Sequence, residues 1–306
     1  MMKQKHSFSS YILDPIPKEL WRQANPFDDM KLGFCDTCGF YHTDPYPSFE
    51  YLSEFYTQYE MPTPQENLSE TARLLGGHLE KDAVVIDMGC GDGSFLEEMH
   101  QLGFNNLIGF DQSPGLERAK SLGFGEFYQS NVWDFLGKIE SSNVDTVDAN
   151  ALVMVNVLEH VVEPIELLSR VYDVLPENGL LCITVPNDFS PLQQAFLKAK
   201  GRQPWFVYLP DHVNYFDFST LKSILNRVGF EMVDQTALYP LEMFLLQDLD
   251  YVENPDLGPV AHERRVMFEQ NIKDAGMTDT LDHFYKTLAA GGYGRDVMVV
   301  CRKTSN

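Results

Sequence analysis

The chain predicts an α/β fold with a mostly parallel sheet covered by helices on both faces, and three observations carry that expectation. Short, nearly continuous apolar runs at residues 83–87, 107–111, 147–155 and 180–185 read as strands buried on both sides. Amphipathic stretches at residues 94–102, 113–122 and 164–175 alternate with them at helical spacing. A turn with glycine at alternate positions, Gly89, Gly91 and Gly93, links the first of these strands to the first helix. Strand and helix repeating in this way mean parallel pairing through crossovers.

Taken in order, residues 1–46 are rich in proline and aromatics with weak periodicity, which predicts a loop-rich start containing one Cys-x-x-Cys, Cys35 to Cys38, followed by Gly39. Residues 48–58 read as a helix capped by Ser48, with Leu52, Phe55, Tyr56 and Tyr59 on one face. After Pro62 and Pro64 a second helix is expected at residues 67–79. The alternating core follows, with a weaker strand at residues 126–129. Beyond Pro186 the pattern predicts helices at 190–200 and 220–228, a strand at 230–237, a mostly helical stretch at 241–290 and a closing strand at 296–302.

The 306 residues hold 23 Lys+Arg against 45 Asp+Glu, a formal net charge of -22. A surface of that sign repels phosphate backbones and anionic lipid, so composition argues against nucleic-acid and membrane partners. With 44% hydrophobic residues there is ample material for a core. Five cysteines suit a reducing compartment better than a disulfide scaffold. The stretch from Met1 to Leu13 carries Lys3 and Lys5 without the apolar core of a signal peptide, and no run is long enough to span a bilayer; a cytoplasmic protein is expected.

The glycine turn carries the chemistry. Alternate glycines behind a strand let the backbone approach a ligand, and the helix that follows aims N–H groups at the same space. The spacing is GxGxG, with Asp87 two positions ahead of the first glycine. An acid there disfavours a pyrophosphate and favours a ligand with a cationic amino group. Asp111, at the end of the next strand, is placed to accept hydrogen bonds from both ribose hydroxyls.

Together these residues resemble the class I S-adenosylmethionine-dependent methyltransferases, from about residue 83 to the final strand. The resemblance implies a Rossmann-like fold with a seven-stranded, mostly parallel sheet and helices on both faces. It implies S-adenosylmethionine as cofactor, S-adenosylhomocysteine as product, and a cofactor set of Asp87, Gly89, Cys90, Gly91, Gly93, Asp111, Gln112, Asn131, Val132 and Asn156. Asn131 replaces the Asp that relatives often use for the adenine amino group, and the Val132 N–H would serve the ring nitrogen.

Val157-Leu158-Glu159-His160 resembles a signature shared by ubiquinone-type and deoxysugar methyltransferases, and Asp211-His212-Val213-Asn214-Tyr215-Phe216 resembles a further segment of that group. Because the donor is already activated, the enzyme must orient the acceptor, exclude water and remove a proton. Histidine suits the last task. His160 and His212 are therefore the base candidates, with Glu159 as an orienting carboxylate and Tyr215 as a further hydroxyl. His6, His78, His100, His262 and His283 lack context and read as surface.

Cys35 and Cys38 are the metal candidates, resembling half of a small zinc module that precedes some sugar and natural-product methyltransferases. No cysteine precedes Cys35, so the segment reads as a knuckle that has lost its zinc unless His42, His6 or a second chain completes the set. Its aromatics Tyr41, Tyr46, Phe55, Tyr56 and Tyr59 would wall the acceptor pocket or form an interface. The family's last two strands are usually joined by a short hairpin, whereas here a long helical stretch separates Ala237 from Asp296.

The domain expectation is a segment at 1–64, a cofactor-binding core at 65–238, a helical insertion at 239–293 forming a lid or oligomer contact, and the last strand at 294–306. The expected function is methyl transfer to a hydroxyl of a small sugar or secondary metabolite, with no nucleic-acid or membrane partner and a homodimer left open. The alternatives are C- or N-methylation of a nucleotide-linked deoxysugar, a nicotinamide-dependent oxidoreductase, and a noncatalytic cofactor-binding partner protein.

Overall fold

The computed structural model describes residues 6–21, 27, 29–58, 67–141 and 147–304. The N-terminal segment is more ordered than its proline content suggests. Strands β1 (Phe8–Leu13), β2 (Lys31–Cys35) and β3 (Phe40–Asp44) form an antiparallel sheet. Its edge is extended by β9 (Asn214–Tyr215), which comes from a remote part of the chain. These strands are too short to show periodicity, and the last of them has no neighbour in sequence to announce it. Helix α1 (Phe49–Thr57) follows, with the Ser48 side chain accepting from the Tyr51 N–H. Tyr59 lies outside the described residues.

Helix α2 (Asn67–Gly76) leads into the core units: β4 (Val84–Met88), α3 (Ser94–Gln101), β5 (Asn106–Asp111), α4 (Leu116–Ser121), β6 (Glu126–Gln129), α5 (Val132–Ser141), β7 (Ala151–Val155), α6 (Pro164–Val174) and β8 (Leu180–Pro186). Then come α7 (Pro191–Lys200), β9, α8 (Phe218–Val228), β10 (Phe230–Thr236), α9 (Glu242–Leu245), α10 (Gly258–Asp274), α11 (Thr278–Gly291) and β11 (Asp296–Lys303). The expected strand at 147–155 is shorter at its start. Asn150 sets that boundary by exchanging bonds with Val84: the Asn150 N–H donates to Val84 O, and the Val84 N–H donates to Asn150 Oδ1.

The seven-stranded sheet has the order β10-β11-β8-β7-β4-β5-β6, with β11 antiparallel to both of its neighbours and the remaining pairs parallel. Side chains alternate along each strand and both faces are buried. Val85, Leu107, Ala151, Val153 and Cys182 pack with Leu75 of α2 and Leu96 of α3. Ile86, Leu152, Met154, Leu181 and Ile183 pack with Leu136 of α5, Leu168 of α6 and Leu221 of α8. The chain runs from β4 outward to β5 and β6, then returns to β7 on the other side of β4. That reversal opens a crevice at the carboxyl ends of β4 and β7, where ligands of open α/β sheets bind.

The insertion between β10 and β11 has its own apolar cluster of Tyr239, Phe244, Ala261, Leu281 and Tyr285. It is tied back to the core by ion pairs of Lys286 with Asp234 and of Arg73 with Asp282. Among the described residues no helix is long and apolar enough to cross a membrane.

Candidate active site

A cleft of about 1030 Å³ opens over the ends of β4 and β7. Gly89, Asp111, Gln112, Asn131, Val132 and Asn156 line it. The glycine turn brings its backbone close because side chains are excluded. Gly89 has φ +90°, and a Cβ there would lie 2.6 Å from Val157 Cγ2. Gly89→Ala is expected to lose roughly 2–3 kcal/mol in urea denaturation, from left-handed strain plus the clash. Adding Val157→Ala recovers only the clash component.

Asp111 is fixed by the backbone. The Gly91 N–H donates to Oδ2 at 2.8 Å and the Ser113 N–H to Oδ1 at 2.6 Å. Each carboxylate oxygen keeps a further lone pair for a vicinal diol. Asp87 is 1% exposed, and its Oδ1 has no hydrogen-bond partner among the described residues. Burial, with repulsion from Asp111, pushes its carboxyl well above the usual range. A buried carboxylate oxygen without a donor is costly, and a cationic amino group would relieve it. The residues present therefore fit S-adenosylmethionine, which carries both a ribose and an ammonium group.

Several of the expected cofactor contacts differ in the structure: Asp87, Cys90, Gly91 and Gly93 are not among the residues lining the cleft, and Asn131 lines it with its amide in use. Asn131 holds the start of α5, with Oδ1 accepting from the Asp134 N–H at 2.8 Å and Nδ2 donating to Asp134 Oδ2 at 2.9 Å, so its amide is already engaged beside the cleft. Cys90 is buried against Gly109 and does not line the cleft. Its N–H donates to Phe110 O, so its role is to shape the turn.

The opposite wall carries the acid–base groups. A 3-10 turn, Leu158–His160, presents Glu159 and His160. Asn214 braces it, with Nδ2 donating to Leu158 O at 3.0 Å and Val161 O at 2.7 Å. His160 Nδ1 lies 2.7 Å from Asp211 O, which fixes Nδ1 as the protonated nitrogen and leaves Nε2 as a base. His160 and His212 meet edge to face with centroids 4.9 Å apart, and both line the cleft.

Glu159 is fully buried, 3.7 Å from His160 Nε2. Burial raises its carboxyl from 4.5 to about 7, with His160 opposing. Between those values the folded chain holds a proton that the unfolded chain has lost, so this group's contribution to stability falls as pH rises through that window. Glu159→Gln removes the effect. Its stability relative to the parent is expected to gain roughly 3 kcal/mol between pH 4.5 and pH 8, read by denaturation at each pH, at about 1.4 kcal/mol per pH unit.

Tyr215 is not part of this wall. It is 1% exposed and packs in the cluster between the N-terminal sheet and residues 189–209, and its hydroxyl donates to His212 O at 2.8 Å. It holds the His212 backbone instead of facing an acceptor. Of the aromatics expected around the pocket, Tyr56 lines the cleft while Tyr41, Tyr46 and Phe55 do not.

Other lining groups escape a local reading. Trp205, Phe206 and Tyr208 come from the loop after α7, and Tyr251 from the insertion. Arg295 enters from immediately before β11 and is set beside Glu242, 3.5 Å away. Buried Asp188 also lines the cleft. Burial raises its carboxyl to about 8 against the opposing charge of Arg295. Asp188 sits in the polar segment after β8, whereas nothing near Arg295 in sequence marks it.

Away from the cleft, Cys35 and Cys38 lie with His6 and His42, and their four ligand atoms are within 4.8 Å of one another. His6 is therefore not a bare surface residue, because the β1–β2 pairing carries it to the β2–β3 turn.

A family model described as a methyltransferase domain matches residues 58–235. A tRNA U34 carboxymethyltransferase of Helicobacter pylori (strain Shi470) is 32% identical over 158 residues, covering 49% of this chain and 57% of that protein. An EEF1A lysine methyltransferase 2 of Mus musculus is 32% identical over 135 residues, covering 40% of this chain and 54% of its own. The chain thus spans little more than half the length of the curated relatives it matches. Among solved structures, a Burkholderia thailandensis 1,6-didemethyltoxoflavin-N1-methyltransferase with bound S-adenosylhomocysteine aligns with TM-score 0.51 at 15% identity, covering 92% of this chain and 99% of that one.

These relatives overturn one expectation. Net charge argues for a small-molecule acceptor with no nucleic-acid partner, yet several of the curated relatives carry names with a tRNA substrate. Net charge sums the whole surface, whereas an acceptor meets only the rim of one cleft. By the match over residues 58–235 and by its fold, the chain belongs to the S-adenosylmethionine-dependent methyltransferase family.

Proposed function

We propose that the chain methylates a hydroxyl on a nucleoside of an RNA, with His160 as general base. The observation that carries the proposal is the juxtaposition, in one cleft, of the Gly89–Asp111 edge with the paired imidazoles of His160 and His212. When bound, S-adenosylmethionine supplies a methyl group already activated on sulfonium. His160 Nε2 would take the acceptor hydroxyl's proton as that oxygen accepts the methyl group from the sulfonium. Asp211 holds the imidazole tautomer through its carbonyl. Tyr56, Trp133, Trp205 and Tyr208 offer aromatic faces for an unstacked base.

Support for an RNA acceptor comes from the named tRNA substrate of the curated relatives. In this reading the insertion acts as a lid, since Leu241, Tyr251, Val252 and Pro255 line the cleft. Free cysteines at all five positions support a cytoplasmic setting.

A protein lysine is the second reading, favoured by the carboxylates of Asp211 and Asp296 that line the cleft and would attract an ammonium group. Methyl-labelled S-adenosylmethionine is incubated with the protein and total cellular tRNA, and the digested nucleosides are read by mass spectrometry. Label in one nucleoside is expected. Label confined to protein would support the second reading, and label only in an RNA-free metabolite fraction would overturn both.

A further inference from the structure

We propose that His6, Cys35, Cys38 and His42 form a tetrahedral zinc site that staples the N-terminal sheet to the turn carrying Glu159 and His160. The four donors come from three places. His6 precedes β1, Cys35 ends β2 with Cys38 in the turn behind it, and His42 lies in β3. Their ligand atoms all fall within 4.8 Å of one another. His6 Nδ1 is 3.3 Å from Cys38 Sγ and 3.8 Å from Cys35 Sγ. With Zn–S of about 2.3 Å and Zn–N of about 2.1 Å, tetrahedral ligands stand roughly 3.3–3.8 Å apart, so a small contraction closes the set. Two thiolates and two imidazoles in that arrangement are a zinc donor set.

Each donor is already oriented for the role. His42 is 1% exposed, and its Nδ1 lies 2.8 Å from Thr43 O. The proton is therefore on Nδ1, and the buried Nε2 has no hydrogen-bond partner among the described residues. That orphaned nitrogen is the second observation, independent of the cysteine spacing, that points to a ligand. His6 turns Nδ1 to the sulfurs while its Nε2 lies 3.4 Å from Glu163 Oε1, the outer carboxylate that typically orients a metal-bound imidazole. The Cys38 N–H approaches Cys35 Sγ at 3.4 Å, and the Gly39 N–H donates to Cys35 O at 2.8 Å, which folds the turn around the sulfurs. Arg227 donates to Thr37 O and Cys38 O, bringing positive charge beside the thiolates.

The site also reaches the catalytic wall. His42 pairs with Asn214 across β3 and β9, and Asn214 holds the Leu158 and Val161 carbonyls on either side of Glu159 and His160. Glu163, the partner of His6, follows closely on His160 in the chain. The metal would position these residues and take no part in the transfer.

The full chain, purified without chelators or added metal, is assayed for zinc by inductively coupled plasma mass spectrometry. One zinc per chain is expected. Cys38→Ser and His42→Ala should lose it, while His100→Ala keeps it. Cobalt substitution of the parent should give the intense visible absorption of a tetrahedral site with thiolate charge transfer, a readout that does not require the variants to fold. A parent chain without zinc that gives no such cobalt spectrum would overturn the proposal, as would a Cys35–Cys38 disulfide in the unreduced protein. Zinc content is independent of the acceptor, so failure of the RNA assay leaves this result standing, and the reverse holds equally.

Discussion

His160→Gln is expected to lower kcat by about 10²- to 10³-fold while leaving S-adenosylmethionine affinity within about twofold, the usual contribution of a positioned base. Nδ1 of His160 is committed to Asp211 O, so Nε2, 3.7 Å from Glu159 Oε1, is the nitrogen left to act as base. Glutamine keeps a donor near that carbonyl but supplies no base, which separates proton removal from the bracing of the turn. His212→Gln should instead raise KM more than it lowers kcat, because His212 meets His160 edge-on and lines the acceptor side. Equal effects on kcat and KM in the two variants would remove His160 from the base role.

Asp111→Ala should weaken S-adenosylmethionine binding by at least about 100-fold in isothermal titration. A charged hydrogen bond contributes roughly 1.5–3 kcal/mol, and two to a ribose correspond to that ratio or more. The same carboxylate receives the Gly91 and Ser113 N–H groups, so its removal also loosens the glycine turn. Asp111→Asn separates the two effects. One amide oxygen can still accept from backbone or ribose, so an intermediate loss is expected with thermal stability close to the parent. Binding unchanged in Asp111→Ala would place the cofactor elsewhere.

Sequence distance decides how much of the fold and the site is legible before folding. The parallel core announces itself because strands buried on both faces are apolar runs and the glycine turn is local. Gly89 and Asp111 fall within a window of about 30 residues, the length of one strand–helix–strand unit. The Leu158–His160 turn is visible too, but its support is not, since Asn214 arrives from a remote stretch through a two-residue strand. Tyr215 shares that short strand, and alternation over so few positions cannot say which face is buried. Arg295 immediately precedes the final strand and reaches the cleft because β11 runs antiparallel beside β8. His6 looks like a surface residue for the same reason: its neighbours are contributed by a hairpin that comes much later in the chain. Net charge is the poorest guide, because it averages over a surface of which the cleft is a small part.

The most direct test of the cofactor and acid–base assignment is a crystal structure with S-adenosylhomocysteine. The ribose hydroxyls are expected on Asp111, with the amino group compensating Asp87 and the sulfur turned toward His160 and His212. A ligand bound away from the Gly89 turn, or with its sulfur facing away from the two histidines, would contradict that assignment.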